Sequence, residues 1–144
     1  MGETKSIVIS TDKNLLNIDY IHGFLTTSYW SKGISKNIVE KSIEGSICFG
    51  VYINHSQIGF ARVISDQATF AYLADVFIDE TKRGLGYSKT LMNYIIEYPE
   101  LQGLRRFVLA TKDAHGLYSE FGFSELKNPN RWMEIHKANV YQLK

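Results

Sequence analysis

VFIDETKRGLGYSKTL, residues 76–91, ends an apolar run, takes a short polar step, passes a glycine pair in basic company and opens an amphipathic segment. That order reads strand, loop, helix. A loop that opens a helix presents backbone N–H groups without intrahelical acceptors, and the helix macrodipole puts partial positive charge at the same end. Gly84 and Gly86 put no side chain in the way of an approaching anion, and Lys82, Arg83 and Lys89 surround it with full positive charges. The stretch reads as a phosphate-binding loop.

Three loops of that kind compete, and spacing separates them. A Walker A loop needs glycine directly before Lys-Ser/Thr with four residues between its two glycines; here Ser88 precedes Lys89-Thr90, and three residues separate it from Gly84. A dinucleotide fingerprint needs a third glycine where Lys89 stands, and belongs early in a long βαβ sheet. The third is the pyrophosphate loop Gln/Arg-x-x-Gly-x-Gly/Ala, against which the chain offers Thr81-Lys82-Arg83-Gly84-Leu85-Gly86. Downstream, Ala114-His115-Gly116-Leu117-Tyr118-Ser119-Glu120-Phe121-Gly122-Phe123 follows an apolar segment ending Leu109-Ala110-Thr111 and matches A-x-x-L-Y-x-x-x-G-F. On these two motifs, in this order and spacing, the chain resembles the GNAT N-acetyltransferases from about Phe49 to Phe123. It departs from their pattern at Thr81, where Gln or Arg is usual, at Ser88, where a third glycine is common, and at Thr111, where Asn is frequent.

The resemblance implies an α+β fold, one domain over residues 1–144, with a mixed central sheet of six to seven strands and helices on both faces. It implies transfer of an acetyl group from acetyl-CoA to a primary amine by direct attack in a ternary complex. The pyrophosphate would sit on Lys82, Arg83, Gly84, Leu85, Gly86, Tyr87, Ser88 and Lys89. The pantetheine arm would pair with the main chain of Val76, Phe77 and Ile78, whose side chains stay free to be core. Tyr118 stands where the family places its general acid, and Tyr20, Tyr29 and Trp30 fall where the family walls its acceptor site, although core packing accounts for each of the three equally well. From another class, a non-catalytic acyl-CoA-binding or sensing module would keep the anchor without an efficient acid and base.

A chain of 144 residues, 44% of them hydrophobic, is one ordinary domain with a sizeable core. The formal net charge of +1 disfavours a dedicated nucleic-acid surface and allows a local basic patch. Cys48, the only cysteine, lies in an apolar run and reads as a buried reduced thiol, so no disulfide is expected. Met1–Ser10 lacks the apolar core of a signal peptide, and no segment nears the roughly 18 apolar residues of a membrane span. The expectation is a cytoplasmic protein without membrane or nucleic-acid partners, acting on a small-molecule or peptide amine, with room for a homodimer.

Along the chain, Ile7–Ile9 reads as a first strand, and Ile21, Phe24 and Leu25 recur at helical spacing from Asp19 until Tyr29-Trp30 and Gly33. Ser35 is placed to cap a second helix, which Gly45 ends. Residues 46–53 and 57–64 read as a hairpin, and 69–78 as the third strand in succession. A helix from about Gly84 to Tyr98 follows, stopped by Pro99. Then come a strand over 104–111, a helix capped by Asp113 and closed by Phe121-Gly122-Phe123, and a last strand at Trp132-Met133-Glu134-Ile135.

A phenol ionises near 10 and a thiol near 8.5, so a well-held Tyr118 can donate to a departing thiolate; an isolated tyrosine would more simply be amphipathic core. Asp75 is the one charged residue between Thr69 and Ile78. Buried unpaired it would be costly, so it either binds or deprotonates the amine, directly or through water, or is a structural carboxylate satisfied by its neighbours. Asp66, in Ser65-Asp66-Gln67, reads as a turn. His115 shares a helix face with Tyr118 and is most simply a surface residue. His22, His55 and His136 are scattered and, with one cysteine, offer no metal-ligand spacing.

Overall fold

The computed structural model describes residues 6–142, so the first half of Met1–Ser10 lies outside the described residues. The elements follow the expected order: β1 (Val8–Ser10), α1 (Ile18–Leu25), α2 (Lys36–Glu44), β2 (Ile47–Ile53), β3 (Ser56–Ser65), β4 (Phe70–Ile78), α3 (Tyr87–Ile96), β5 (Arg106–Leu109) and α4 (His115–Ser119). The sheet order is β1-β2-β3-β4-β5, antiparallel through β4 and parallel from β4 to β5 across the α3 crossover. No helix among the described residues is long and apolar enough to cross a membrane.

Strand alternation sends side chains into two cores. Phe49, Val51, Ala61, Val63, Ala71 and Leu73 meet Tyr87, Leu91, Met92 and Ile95 of α3 on one face. On the other, Cys48, Phe60 and Phe77 meet Ile21 and Leu25 of α1 and Val39 and Ile43 of α2. Phe77 stacks flat on Phe24 at 3.9 Å between centroids. The helices begin where their caps begin: Asn17 accepts from the Tyr20 N–H, and Ser35 from the Ile38 N–H. Cys48 is buried as expected, its thiol pushed up to about 11 by desolvation, which leaves it protonated and inert.

Three expectations are corrected. The described residues form five strands, not six to seven. The expected strand at Trp132–Ile135 is absent: the segment pairs with no strand among the described residues, Met133 and Ile135 standing 96% and 92% exposed. β-prone residues make a strand only where their main chain pairs with another; after the turn at Pro129–Arg131 the Trp132 ring meets the Arg106 guanidinium at the start of β5 through its side chain alone. Asp113 does not cap α4; Thr111 Oγ1 accepts from the Ala114 N–H instead. The helix does close at Gly122, whose φ of +95° lets the Phe123 N–H reach the Tyr118 carbonyl and its own N–H the Ser119 carbonyl, a Schellman motif.

Tyr52 is buried with a hydroxyl that finds no partner among the described residues, and desolvation pushes its phenol up to about 12. Its ring lies over Gly50, where a Cβ would run into it. Tyr52→Phe removes an unsatisfied polar atom without a cavity, so it should stabilise the protein by about 1 kcal/mol, read as a higher Tm in thermal unfolding. An unchanged or lower Tm would mean that the hydroxyl is satisfied in solution.

Candidate active site

The β4–β5 ladder stops at Leu73 opposite Leu109, yet β4 runs on to Ile78. From Ala74 to Ile78 its main chain on that side faces no strand, so N–H and C=O groups of Val76 and Phe77 border a wedge between the two strands. A bulge adds to the parting. Phe60 pairs with Phe77 and Arg62 with Ala74, so Asp75 and Val76 together oppose Ala61, and Asp75 adopts φ +54°. Asp tolerates this left-handed region better than most residues, and such strain persists only where neighbours hold it.

Two neighbours do. Asp75 Oδ1 accepts from Trp30 Nε1 and Oδ2 from Arg62 Nε, both at 2.8 Å, the second being an ion pair between two largely buried side chains. Arg62 extends the network through Nη1 to Ser46 Oγ at 3.0 Å. Arg62, which holds Asp75, is not among the sequence candidates. The signal was available: it is the one charged residue from Gln57 to Ile64, as Asp75 is in β4, and a β3–β4 hairpin brings the two lone charges together.

At the end of β4, Asp79 starts a short turn at Glu80–Lys82 by accepting from the N–H and hydroxyl of Thr81, which hold its carboxyl below the usual range. Tyr20 donates to the other Asp79 oxygen at 3.2 Å, and burial together with that carboxylate pushes its phenol far up. Tyr20 is thus tied into the strand end. Arg83 Nε donates to the Ile78 carbonyl at 3.0 Å, laying the guanidinium back across the loop.

Then the loop opens a cleft of about 260 Å3, lined by Ile78, Lys82, Arg83, Gly84, Gly86, Tyr87, Ser88 and Lys89, with Leu117 of α4 across from them. Gly84 and Gly86 take φ +79° and +82°, conformations that suit glycine, and a Cβ on either would meet nothing within 4 Å. Gly86 is the N-cap of α3; no side chain caps it, and the first turn holds no acidic residue. Helix-end N–H groups, open space beside two glycines and three cations are what a diphosphate needs, so the residues present fit coenzyme A. Lys89 also reaches Glu120 at 3.2 Å, a solvent-exposed pair that ties α3 to α4.

Not every expected cofactor residue lines that cleft. Val76 and Phe77 lie outside it, with the Phe77 side chain in the α1/α2 core, and Leu85 points to solvent. Thr81 is turned to Asp79 rather than into the cleft.

Tyr118 is half-buried on α4 beside Leu117, packed edge-on against Phe123 at 6.0 Å. Its hydroxyl has no hydrogen-bond partner among the described residues, and desolvation, then the nearby Tyr29, raise its ionisation above the ordinary phenol value. Tyr29 and Trp30 stand on the α1–α2 connection, edge-to-face at 5.0 Å, with Lys112 Nζ 5.3 Å from the Tyr29 ring centre. Both rings are exposed. The sequence candidates Tyr29, Trp30, Asp75 and Tyr118 therefore gather at one end of the sheet. His115 is exposed at the start of α4, and Asp66 caps the β3–β4 turn, its carboxyl held low by the N–H groups of Thr69 and Ala68 and the Thr69 hydroxyl. No group of three His, Cys, Asp or Glu side chains suited to a metal occurs among the described residues.

Known proteins share this architecture. A crystal structure of a GNAT-family protein from Xanthomonas campestris pv. campestris, described as a "putative acetyltransferase", superposes with a TM-score of 0.95 at 46% identity, over 98% of this chain and 100% of that one. A Gibberella zeae protein named "Putative acetyltransferase" is 30% identical over 78% of this chain and 76% of its own. A predicted acetyltransferase from Clostridium acetobutylicum, solved with acetyl-CoA, shares the fold at a TM-score of 0.64 and 13% identity, covering 92% and 96%. The profile of the Acetyltransferase (GNAT) family matches residues 13–123, and on that match and these likenesses the chain belongs to the GNAT acetyltransferase family.

Proposed function

We propose that this protein transfers an acetyl group from acetyl-CoA to a primary amine of a small molecule or peptide, by direct attack within a ternary complex. The observation that carries the reading is the uncapped α3 N-terminus opening onto a cleft that runs from Ile78 at the end of β4 to Leu117, the neighbour of Tyr118 on α4. The Clostridium acetobutylicum relative, described with acetyl-CoA, supports the choice of acyl donor.

Bound acetyl-CoA supplies an activated acyl carbon: a C–N bond forms to the amine as the C–S bond breaks. The chain's own groups do the rest. N–H groups at the start of α3, with Lys82 and Lys89, would hold the diphosphate, and the free main chain of Val76–Ile78 would align the arm. The Tyr118 hydroxyl then gives its proton to the departing sulfur and is reprotonated, directly or through water, by the proton that the new amide nitrogen sheds. Tyr29 and Trp30 wall the acceptor.

Asp75 acts by position. Both its oxygens already accept strong hydrogen bonds, one from a guanidinium, so the carboxylate orients Trp30 and offers a fixed negative charge to the ammonium, and the amine loses its proton to water. Asn also tolerates positive φ, so Asp75→Asn should keep the bulge and the coenzyme A affinity while lowering kcat/KM for the amine by about tenfold. Equal activity across the pH range would reduce Asp75 to a structural carboxylate.

The experiment for the whole reading is thiol release from acetyl-CoA across a panel of amines, set beside calorimetric binding of coenzyme A. Saturable turnover with one amine class supports the enzyme. Tight binding without turnover on any amine points to an acyl-CoA sensor, and absence of binding sinks both.

A further inference from the structure

Lys112 lies on the connection from β5 to α4, just beyond Leu109, where the β4–β5 ladder ends and the two strands part. Thr111 Oγ1 accepts from the Ala114 N–H at 3.0 Å and so fixes the turn that carries it. The Lys112 ammonium stands 5.3 Å from the centre of the Tyr29 ring. It forms no ion pair among the described residues; Asp113, next to it in sequence, is exposed and is not its partner. The attraction of an exposed lysine to a ring face is weaker than the rotamer entropy lost in fixing its side chain, so Tyr29 alone does not hold the ammonium. The cation is free to turn to an anion.

The aromatic wall beside it is unevenly charged. On the Trp30 side, the Asp75 carboxylate accepts from the indole N–H and is opposed at 2.8 Å by the Arg62 guanidinium. On the Tyr29 side, Lys112 has no counter-charge. The Tyr29 hydroxyl hydrogen-bonds to nothing among the described residues, and the ring is 61% exposed. Tyr29 is also near enough to Tyr118 to raise its ionisation, which sets this end of the wall close to the group placed beside the thioester. A fixed carboxylate and an unpaired cation thus stand at opposite ends of two rings whose centres are 5.0 Å apart. The charge on this wall that lacks a partner is positive, and it draws an anion rather than a second ammonium.

We infer that the acceptor amine carries an anionic group, a carboxylate or a phosphate, which Lys112 binds with the Tyr29 hydroxyl while the ammonium faces Asp75. This rests on the acetyl-transfer reading above and names the class of amine for that reaction. Lys112 sets specificity; it takes no part in the proton transfers or in breaking the thioester.

Initial rates with saturating acetyl-CoA, on amines set beside their anionic twins, test this: propylamine against 4-aminobutyrate, phenethylamine against phenylalanine, and ethanolamine against O-phosphoethanolamine. An anionic twin should exceed its neutral partner in kcat/KM by about tenfold or more, and the pairs that show the excess tell carboxylate from phosphate. The excess should shrink as salt is raised. In Lys112→Gln it should fall to about one, through a higher KM for the anionic amine rather than a lower kcat. Lys112→Arg should keep it, and Lys112→Glu should invert it, which a lysine that merely covers the Tyr29 ring would not do. Every variant should retain the wild-type Tm and the wild-type KM for acetyl-CoA, since the side chain is exposed and lies outside the diphosphate cleft. Equal rates within every pair, a preference that survives Lys112→Glu, or a rise in the acetyl-CoA KM instead would overturn the inference and leave acetyl transfer standing. No turnover on any amine would remove the acetyl-transfer reading and this inference with it.

Discussion

Coenzyme A affinity should fall by about 100-fold or more in Gly86→Val, a loss of about 2.7 kcal/mol. The position sits at the mouth of the α3 N-terminus with φ +82°, and the space where a Cβ would go holds no protein atom within 4 Å. That space is where a diphosphate would approach the helix-end N–H groups, and two methyl groups there would hold it off. Backbone strain acts alongside, since a β-branched residue in the left-handed region costs about 1–2 kcal/mol, which lowers the Tm without preventing folding. Gly103→Val separates the two effects. Gly103 has φ +75° and equally open surroundings but lies outside the cleft, so its variant should share the loss of stability and keep the affinity. Calorimetry on both decides; unchanged binding in Gly86→Val would place the diphosphate elsewhere.

What the sequence disclosed follows from how local its signals are. Gly84 and Gly86 declare their loop because positive φ at a strand-to-helix step leaves glycine as the residue of choice, and the side chains lining the cleft are those counted off from them. Gly122 announces the end of α4 for the same reason. Alternation and helical spacing located the strands and helices that make the two cores, since those periods are set by the backbone alone. Non-local facts were hidden. That Asp75 sits in a bulge depends on the register of β3 against β4, one residue longer on one side, which no count along β4 discloses. That its carboxylate meets Trp30 depends on the α1–α2 connection folding over the sheet, 45 residues away in sequence. Asp113 was the expected cap for α4, yet the helix starts at Ala114 without a side-chain cap and Thr111 bonds the Ala114 N–H. Trp132–Ile135 shows the limit most plainly: its composition is that of a strand, but composition does not decide main-chain pairing, and the segment joins no ladder among the described residues although Trp132 touches Arg106 of β5.

The last expectation concerns Tyr118, because it divides an enzyme from a binding module. Tyr118→Phe removes one oxygen and keeps the ring against Phe123 and the surrounding core, so Tm and coenzyme A affinity should barely move. The hydroxyl has no partner among the described residues whose loss would cost stability. If it is the acid, turnover falls by about 100-fold, or about 2.7 kcal/mol of transition-state stabilisation. Burial and then Tyr29 raise its ionisation, so the phenol keeps its proton at every pH below the ordinary value near 10. The sign for folding is the same: the raised value in the folded state leaves stability intact below pH 10 and withdraws it only as pH climbs through the folded value. The rate deficit of the variant should therefore be constant with pH up to that limit, with no alkaline fall in wild-type turnover that belongs to this residue. A structural tyrosine would give the reverse pattern, a lower Tm with near-normal turnover per folded molecule. Both quantities measured on one preparation, with acetyl-CoA saturating, distinguish the two, and full activity at reduced stability would remove Tyr118 from the chemistry.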